Sequence, residues 1–182
     1  MTIELRRLDD GFQRYDELLD LILKAFAYMD GVIDPPSSAH RLTPDLLREK
    51  ARAEIGIAAF EDARLVACAF FRPEPTSLYI GKLAVLPAAQ GKGIGRRLLT
   101  EAETIAGELG LLELRLETRI ELTGNHRRFA AWGFRKTAET PCRLSADHVD
   151  RDAQDPRLSE ALRSGWAGRG SADGGRRNRS GC

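Results

Sequence analysis

The sequence predicts a mixed α/β domain, and three observations carry that reading. Leu111–Arg119 alternates Leu112, Leu114 and Leu116 against Glu113, Arg115 and Glu117, the two-residue period of a half-buried strand. Between Tyr15 and Met29 apolar side chains recur at three- and four-residue steps, the period of an amphipathic helix. The run from Leu78 to Leu109 then places an apolar strand, a glycine loop and a second amphipathic helix in direct succession. Strands and helices interleaved in this way imply a central mixed sheet with helices on both faces.

The elements follow in order. Thr2–Leu8 sets Ile3 and Leu5 against Glu4 and Arg6 and reads as a strand. Asp9-Asp10 is expected to cap a helix that carries Phe12, Tyr15, Leu18, Leu19, Ile22, Phe26 and Met29, ended by Gly31 and Pro35-Pro36. Thr43-Pro44-Asp45 opens a second helix, Thr43 as N-cap and Pro44 in its first turn. Ile55–Glu61 and Leu65–Arg72 are strands joined by Asp62-Ala63, a hairpin turn without the favoured glycine. Pro73 and Pro75 mark a turn before the strand Ser77–Leu86, and Gly95–Gly107 is the helix behind the glycine loop. Asn125–Trp132 is a short helix, and a further strand starts at Phe134–Ala138.

Composition narrows the function classes. At 182 residues the chain suits one domain, and a net charge of +1 gives no general pull toward nucleic acid or membrane. Cys68, Cys142 and Cys182 are odd in number, far apart and without a CxxC pair, so neither a disulfide framework nor a metal site is legible. Cys68 lies in the apolar run Leu65–Phe71, where a buried, reduced thiol is expected. His40, His126 and His148 form no recognisable pair. No apolar stretch approaches the ~18 residues of a membrane span. The charged N-terminal residues Glu4 and Arg6 do not suit a signal core, which points to a cytoplasmic protein.

The glycine loop, Gln90-Gly91-Lys92-Gly93-Ile94-Gly95, sits directly before a helix. Backbone N–H groups at a helix N-terminus are unpaired and carry the positive end of the dipole, and glycine lets a ligand come close to them. The loop is therefore suited to an anion such as a phosphate, with Lys92, Arg96 and Arg97 adding charge beside it. It lacks the Gly-Lys-Ser/Thr ending of a Walker loop, and glycines at 91, 93 and 95 fall one residue short of the G-x-G-x-x-G spacing. A tight turn packing on a strand is the plain structural alternative.

Gln90, Gly93 and Gly95 fall on the Q/R-x-x-G-x-G/A pattern, and the chain here resembles the Gcn5-related N-acetyltransferase (GNAT) family. Lys82–Pro87 resembles that family's central strand. Glu121–His126, followed by Phe129 and Gly133-Phe134, resembles its second motif. The resemblance runs from about Thr2 to Ala138 and implies a GNAT-like acyl-CoA N-acyltransferase fold, in which the strands at Leu78–Leu86 and Leu111–Arg119 are parallel and splay apart around acetyl-CoA. It implies acetyl-CoA as co-substrate and a primary amine, on a small molecule or a peptide, as acceptor. Leu83, Ala84 and Val85 would hold pantetheine, and Gln90, Gly91, Lys92, Gly93, Ile94, Gly95 and Arg96 the pyrophosphate. Asn125 falls where the family makes a polar cofactor contact, although it suits equally the N-cap of its own helix.

The catalytic groups are less legible. The family's usual tyrosine general acid stands four residues before Gly-Phe, where this chain has Phe129, which carries no proton to give. Glu117, Glu61 and Asp34 are candidates for the base, none favoured by pattern alone. A non-catalytic acyl-CoA-binding domain is the alternative that Phe129 supports.

After Thr140 the pattern stops, dividing the chain into an acetyltransferase domain over 1–140 and an atypical, disordered tail over 141–182. The sheet's last strand is then missing or altered, and the open edge invites a homodimer. Arg163, Arg169, Arg176, Arg177 and Arg179 oppose only Asp173, but Trp166 is the one aromatic there, a poor basis for binding nucleic acid. Degenerate codons for Pro141–Asp155, read one base later, allow a peptide containing Ser-Ile-Ala-Met, which resembles the last strand of GNAT proteins. A shifted reading frame, and with it an inactive acetyltransferase, is thus a further reading that sequencing of the coding DNA tests.

Overall fold

The computed structural model describes residues 2–140 and 163–169. Its elements are β1 (Ile3–Arg7), α1 (Tyr15–Phe26), α2 (Pro44–Ala53), β2 (Ile55–Glu61), β3 (Arg64–Pro73), β4 (Ser77–Val85), α3 (Ile94–Glu108), β5 (Glu113–Arg119), α4 (Thr123–Ala131), β6 (Arg135–Thr140) and β7 (Arg163–Arg169), with short 3-10 turns at Ala27–Met29, Ser38–Arg41 and Pro87–Ala89. The strands form one sheet in the order β1-β2-β3-β4-β5-β7-β6. All neighbours are antiparallel except β4 and β5, which run parallel. The mixed α/β architecture expected from the sequence is what the chain adopts.

The sheet separates two apolar layers. On one face Leu98, Leu99, Ala102 and Ile105 of α3 cluster with Ala69 and Phe71 of β3, Ile80 of β4 and Leu116 of β5. On the other, Leu18, Leu21 and Ile22 of α1 and Leu47 of α2 cluster with Cys68 and Phe70 of β3. Leu65–Phe71 is buried throughout, which explains its unbroken apolar sequence: a strand covered on both faces has no polar side to present.

Thr43 caps α2 as expected, its hydroxyl accepting from the Leu46 N–H at 3.2 Å. Asp9 does not cap α1. Its carboxylate accepts from the Gly11 N–H and its carbonyl from the Phe12 N–H, closing a local turn, so the helix begins at Tyr15. The strand expected from Leu111 begins instead at Glu113, because Gly110 takes a left-handed conformation (φ 70°) and the Leu111 N–H returns to the Ala106 carbonyl to end α3. Leu112 consequently lies off the buried face and is 72% exposed. The altered last strand is β7, lying between β5 and β6, so the sheet continues past the break in pattern at Thr140. Arg163–Arg169 shows no apolar alternation, and its pairing is carried by backbone hydrogen bonds that any residue except proline can make. The tail readings for 141–162 and 170–182 lie outside the described residues.

Asp62 (φ 49°) and Ala63 (φ 67°) both adopt the left-handed conformation at the β2–β3 hairpin, as a two-residue turn demands. Ala63 pays a steric cost there that glycine avoids. Ala63→Gly is expected to raise unfolding free energy by about 0.5–1 kcal/mol in a urea titration, since relieved strain outweighs glycine's extra chain entropy.

Cys68 is fully buried, its thiol donating to the Lys82 carbonyl at 3.7 Å. Burial pushes the thiol up to about 12 from an ordinary 9.0, against a smaller opposing pull from the Lys82 charge. At pH 8 an alkylating reagent should therefore label as many thiols in native wild type as in native Cys68→Ala, with one more in wild type after denaturation. The unfolded thiol ionises first, so the native state holds its proton while the unfolded state loses it. Stability should accordingly fall as pH rises above 9.0, and Cys68→Ala should flatten that fall.

Candidate functional site

β4 and β5 pair only from Ser77–Glu113 to Ile80–Leu116. Beyond Ile80 the strands part. The cause is local: Lys82 and Leu83 together oppose Ala69 across the β3–β4 ladder, a bulge with Lys82 at φ 49° that turns β4 away from its neighbour. A second irregularity reinforces it, because Val66 of β3 has no partner in β2 and its carbonyl accepts from the Leu86 N–H at 2.9 Å. This bond fixes the end of β4 just before the glycine loop.

The gap opens into a cleft of about 700 Å³ lined by the ends of β4 and β5, the glycine loop, α4 and the segment that follows α1. Gly91 (φ 79°) and Gly93 (φ 75°) hold left-handed conformations with open space where a Cβ would stand. Gly93 is the N-cap of α3, so the first N–H groups of that helix have no intrahelical acceptor. Gly95 serves differently: a Cβ there would stand 3.1 Å from the Trp132 ring, so its absence lets α3 and the end of α4 pack closely. Arg96 adds a hydrogen bond to the Trp132 carbonyl at 3.3 Å.

The residues singled out in the sequence divide by placement. Leu83, Val85, Gln90, Gly91, Gly93, Ile94, Gly95, Arg96, Asn125 and Phe129 all line the cleft. Gln90 also donates through its side-chain amide to the Val85 carbonyl at 3.2 Å, tying loop to strand. Ala84, expected beside them, is not in the lining: it faces the opposite layer, as strand alternation requires between Leu83 and Val85. Lys92 lies outside the lining, with its ammonium held by both Glu61 oxygens at 2.8 and 2.9 Å. Of the carboxylates considered as bases, Glu117 lines the cleft and pairs with Arg115 at 3.0 Å, whereas Glu61 and Asp34 lie outside the lining, Glu61 committed to Lys92 and Asp34 accepting from Arg119 through its carbonyl.

Asn125 is not the cap of α4, which Leu122 occupies. Its amide nitrogen donates to Thr118 Oγ1 at 3.2 Å and to the Tyr28 hydroxyl at 3.0 Å, joining β5, α4 and the segment after α1 across the cleft. His126 also ties α4 to β5, through the Arg119 carbonyl at 2.9 Å. Tyr28, Arg41, Thr118 and Arg119 line the cleft as well, and of these Thr118 and Arg119 were not singled out by any motif in the sequence. Among the described residues no group of His, Cys, Asp and Glu could hold a metal, and no helix is long and apolar enough to cross a membrane.

A mixed sheet whose two parallel strands part over a glycine-rich helix N-terminus defines an acyl-CoA transferase architecture. The chain belongs to the acetyltransferase (GNAT) family, whose model matches residues 15–134. Its fold is similar to that of the PaiA N-acetyltransferase of Thermoplasma acidophilum, solved in complex with coenzyme A, at 17% identity and a TM-score of 0.70 over 93% of this chain and 99% of that one. It is also similar to the ribosomal-protein-S18-alanine N-acetyltransferase of Escherichia coli, at 15% identity and a TM-score of 0.66 over 98% and 100%. A GNAT acetyltransferase of Elizabethkingia anophelis with acetyl-CoA bound gives 18% identity and a TM-score of 0.63 over 92% and 97%. No curated protein sequence matches the chain.

Proposed function

We propose that the protein is a cytoplasmic N-acetyltransferase that passes the acetyl group of acetyl-CoA directly to a primary amine of a small molecule or peptide. The observation that carries this reading is the shared cleft: the parting of β4 from β5 and the open N-terminus of α3 border one space. Pantetheine would run along the backbone of Leu83–Val85, in place of the lost strand partner, and the pyrophosphate would rest on the N–H groups of Gly91–Arg96. The amine then attacks the thioester carbonyl, a C–N bond forms, and an N–H near Val85 steadies the oxyanion. The nitrogen gives up its extra proton to solvent, and as the C–S bond breaks the thiolate leaves. Phe129 has no proton for it, so solvent supplies one, at a cost of ~10²–10⁴-fold at most relative to a positioned acid.

A thermal melt with and without acetyl-CoA tests the site. At 100 times its Kd the ligand should add ~2.7 kcal/mol to the folded state, and NAD should add nothing. A cooperative melt that acetyl-CoA leaves in place would overturn the reading. A broad transition would instead favour a chain whose altered C-terminal strand has weakened the fold. Phe129 also favours a second reading, a domain that binds acyl-CoA without turnover. Sustained release of CoA thiol in the presence of an amine separates the two, because a binding domain releases none.

A further inference from the structure

The end of the cleft away from the glycine loop is bordered by the turn at Ser38–Arg41, the bulge of β4 and the last residues of β5. Its lining there is cationic. Arg41, Lys82 and Arg119 contribute three positive charges, and Glu117 is the one carboxylate among the described lining residues. The charges are not equivalent. Glu117 is paired with Arg115 and Arg119 lies 3.6 Å from Glu121, so these partners offset one another locally. Lys82 is aimed by structure: the left-handed bulge sets its backbone, and its ammonium donates to the Ser38 hydroxyl at 2.8 Å. That bond holds the lysine against the turn that carries Arg41, and Arg41 has no hydrogen-bonding or ionic partner among the described residues.

A polycationic acceptor entering this space would meet like charge on strand and turn, in a concave site where low-dielectric walls strengthen the repulsion. An amine that also carries an anion would meet the reverse. We infer that the acceptor is a small zwitterion, an amine bearing a carboxylate, with Arg41 and Lys82 receiving the carboxylate and Glu117 facing the ammonium before it loses its proton. This rests on the proposed transfer from acetyl-CoA. It narrows that reading by excluding polyamines and simple alkylamines as good acceptors.

Acetyl-CoA turnover, followed as released CoA thiol, should be measured with matched acceptors: leucine against isopentylamine, phenylalanine against phenethylamine, glutamate, and spermidine as the cationic extreme. The carboxylate-bearing member of at least one pair should show kcat/KM about tenfold or more above its decarboxylated partner, with spermidine poorest. Arg41→Gln, at an exposed position, should remove most of that ratio, raising KM for the zwitterion while kcat/KM for the alkylamine rises as one repelling charge is lost. Equal or better turnover of the alkylamines or spermidine overturns the inference. So does an absence of turnover with every acceptor when acetyl-CoA still raises the melting temperature, since the cofactor site then stands and small zwitterions are not its acceptors. Loss of the acetyl-CoA shift itself is the separate failure of the underlying function.

Discussion

Gly93→Asp is expected to lower acetyl-CoA affinity by roughly 100- to 1000-fold while leaving the chain folded. Gly93 is the N-cap of α3 at φ 75° and ψ 5°, with nothing within 4 Å of where a Cβ would stand. Aspartate meets no clash there, and it tolerates the left-handed region better than most residues, at a cost of about 1 kcal/mol. Its carboxylate would lie where the helix N-terminus is to receive a pyrophosphate. Two like charges about 4 Å apart at an effective dielectric near 20 repel by about 4 kcal/mol, and solvent access reduces that toward the lower end of the stated range. Gly93→Ala separates charge from conformation: it keeps the strain and omits the carboxylate, so its loss of affinity should stay below about tenfold. Titration calorimetry gives both affinities, and melts without ligand check that each variant folds. An aspartate variant that still binds like wild type would show that no anion rests on this helix end.

The glycine loop was legible because its chemistry is local. Positive φ, helix start and open backbone all lie within six consecutive residues, Gln90–Gly95, and the structure adds only which glycine does what: Gly91 and Gly93 turn the chain, while Gly95 admits Trp132. The parallel partnership of β4 with β5 was legible through family resemblance, whereas its cause was not. The bulge at Lys82-Leu83 depends on the register against Ala69, more than ten residues back in the chain, and nothing in Gly81-Lys82-Leu83 by itself separates a bulge from a regular strand. The same limit hid the partners of Asn125. Its local pattern fits an N-cap, but the side chain is directed by Thr118 and by Tyr28, ninety-seven residues away. Lys92 shows a third kind of miss: a cation beside a phosphate loop reads as a ligand until Glu61, from the far end of β2, claims it. Pattern within one element reports backbone and face. Side-chain partners across the sheet need the fold.

Phe71→Ala is expected to cost about 3–5 kcal/mol of folding free energy. Phe71 is fully buried in β3, opposite Ile80, the last residue of β4 to pair with β5. It belongs to the cluster that holds α3 on the sheet, with Leu98 and Leu99 on the helix side and Leu116 from β5. Truncation removes the ring's transfer free energy and leaves a cavity at the point where the parallel strands separate, which neither strand can fill without losing its register. Against a typical total of about 5–15 kcal/mol, a loss of that size brings the unfolded fraction within reach of mild denaturant. Leu112→Ala is the matched control, since that side chain is 72% exposed and its loss should change stability by less than about 0.5 kcal/mol. If the cleft takes acetyl-CoA, the ligand should return part of the deficit of Phe71→Ala, up to ~2.7 kcal/mol at 100 times the variant's own Kd. A urea titration of both variants, with and without acetyl-CoA, reads all of these terms. Equal losses for Phe71→Ala and Leu112→Ala would mean that the α3 face is not the closely packed layer on which the cleft is built.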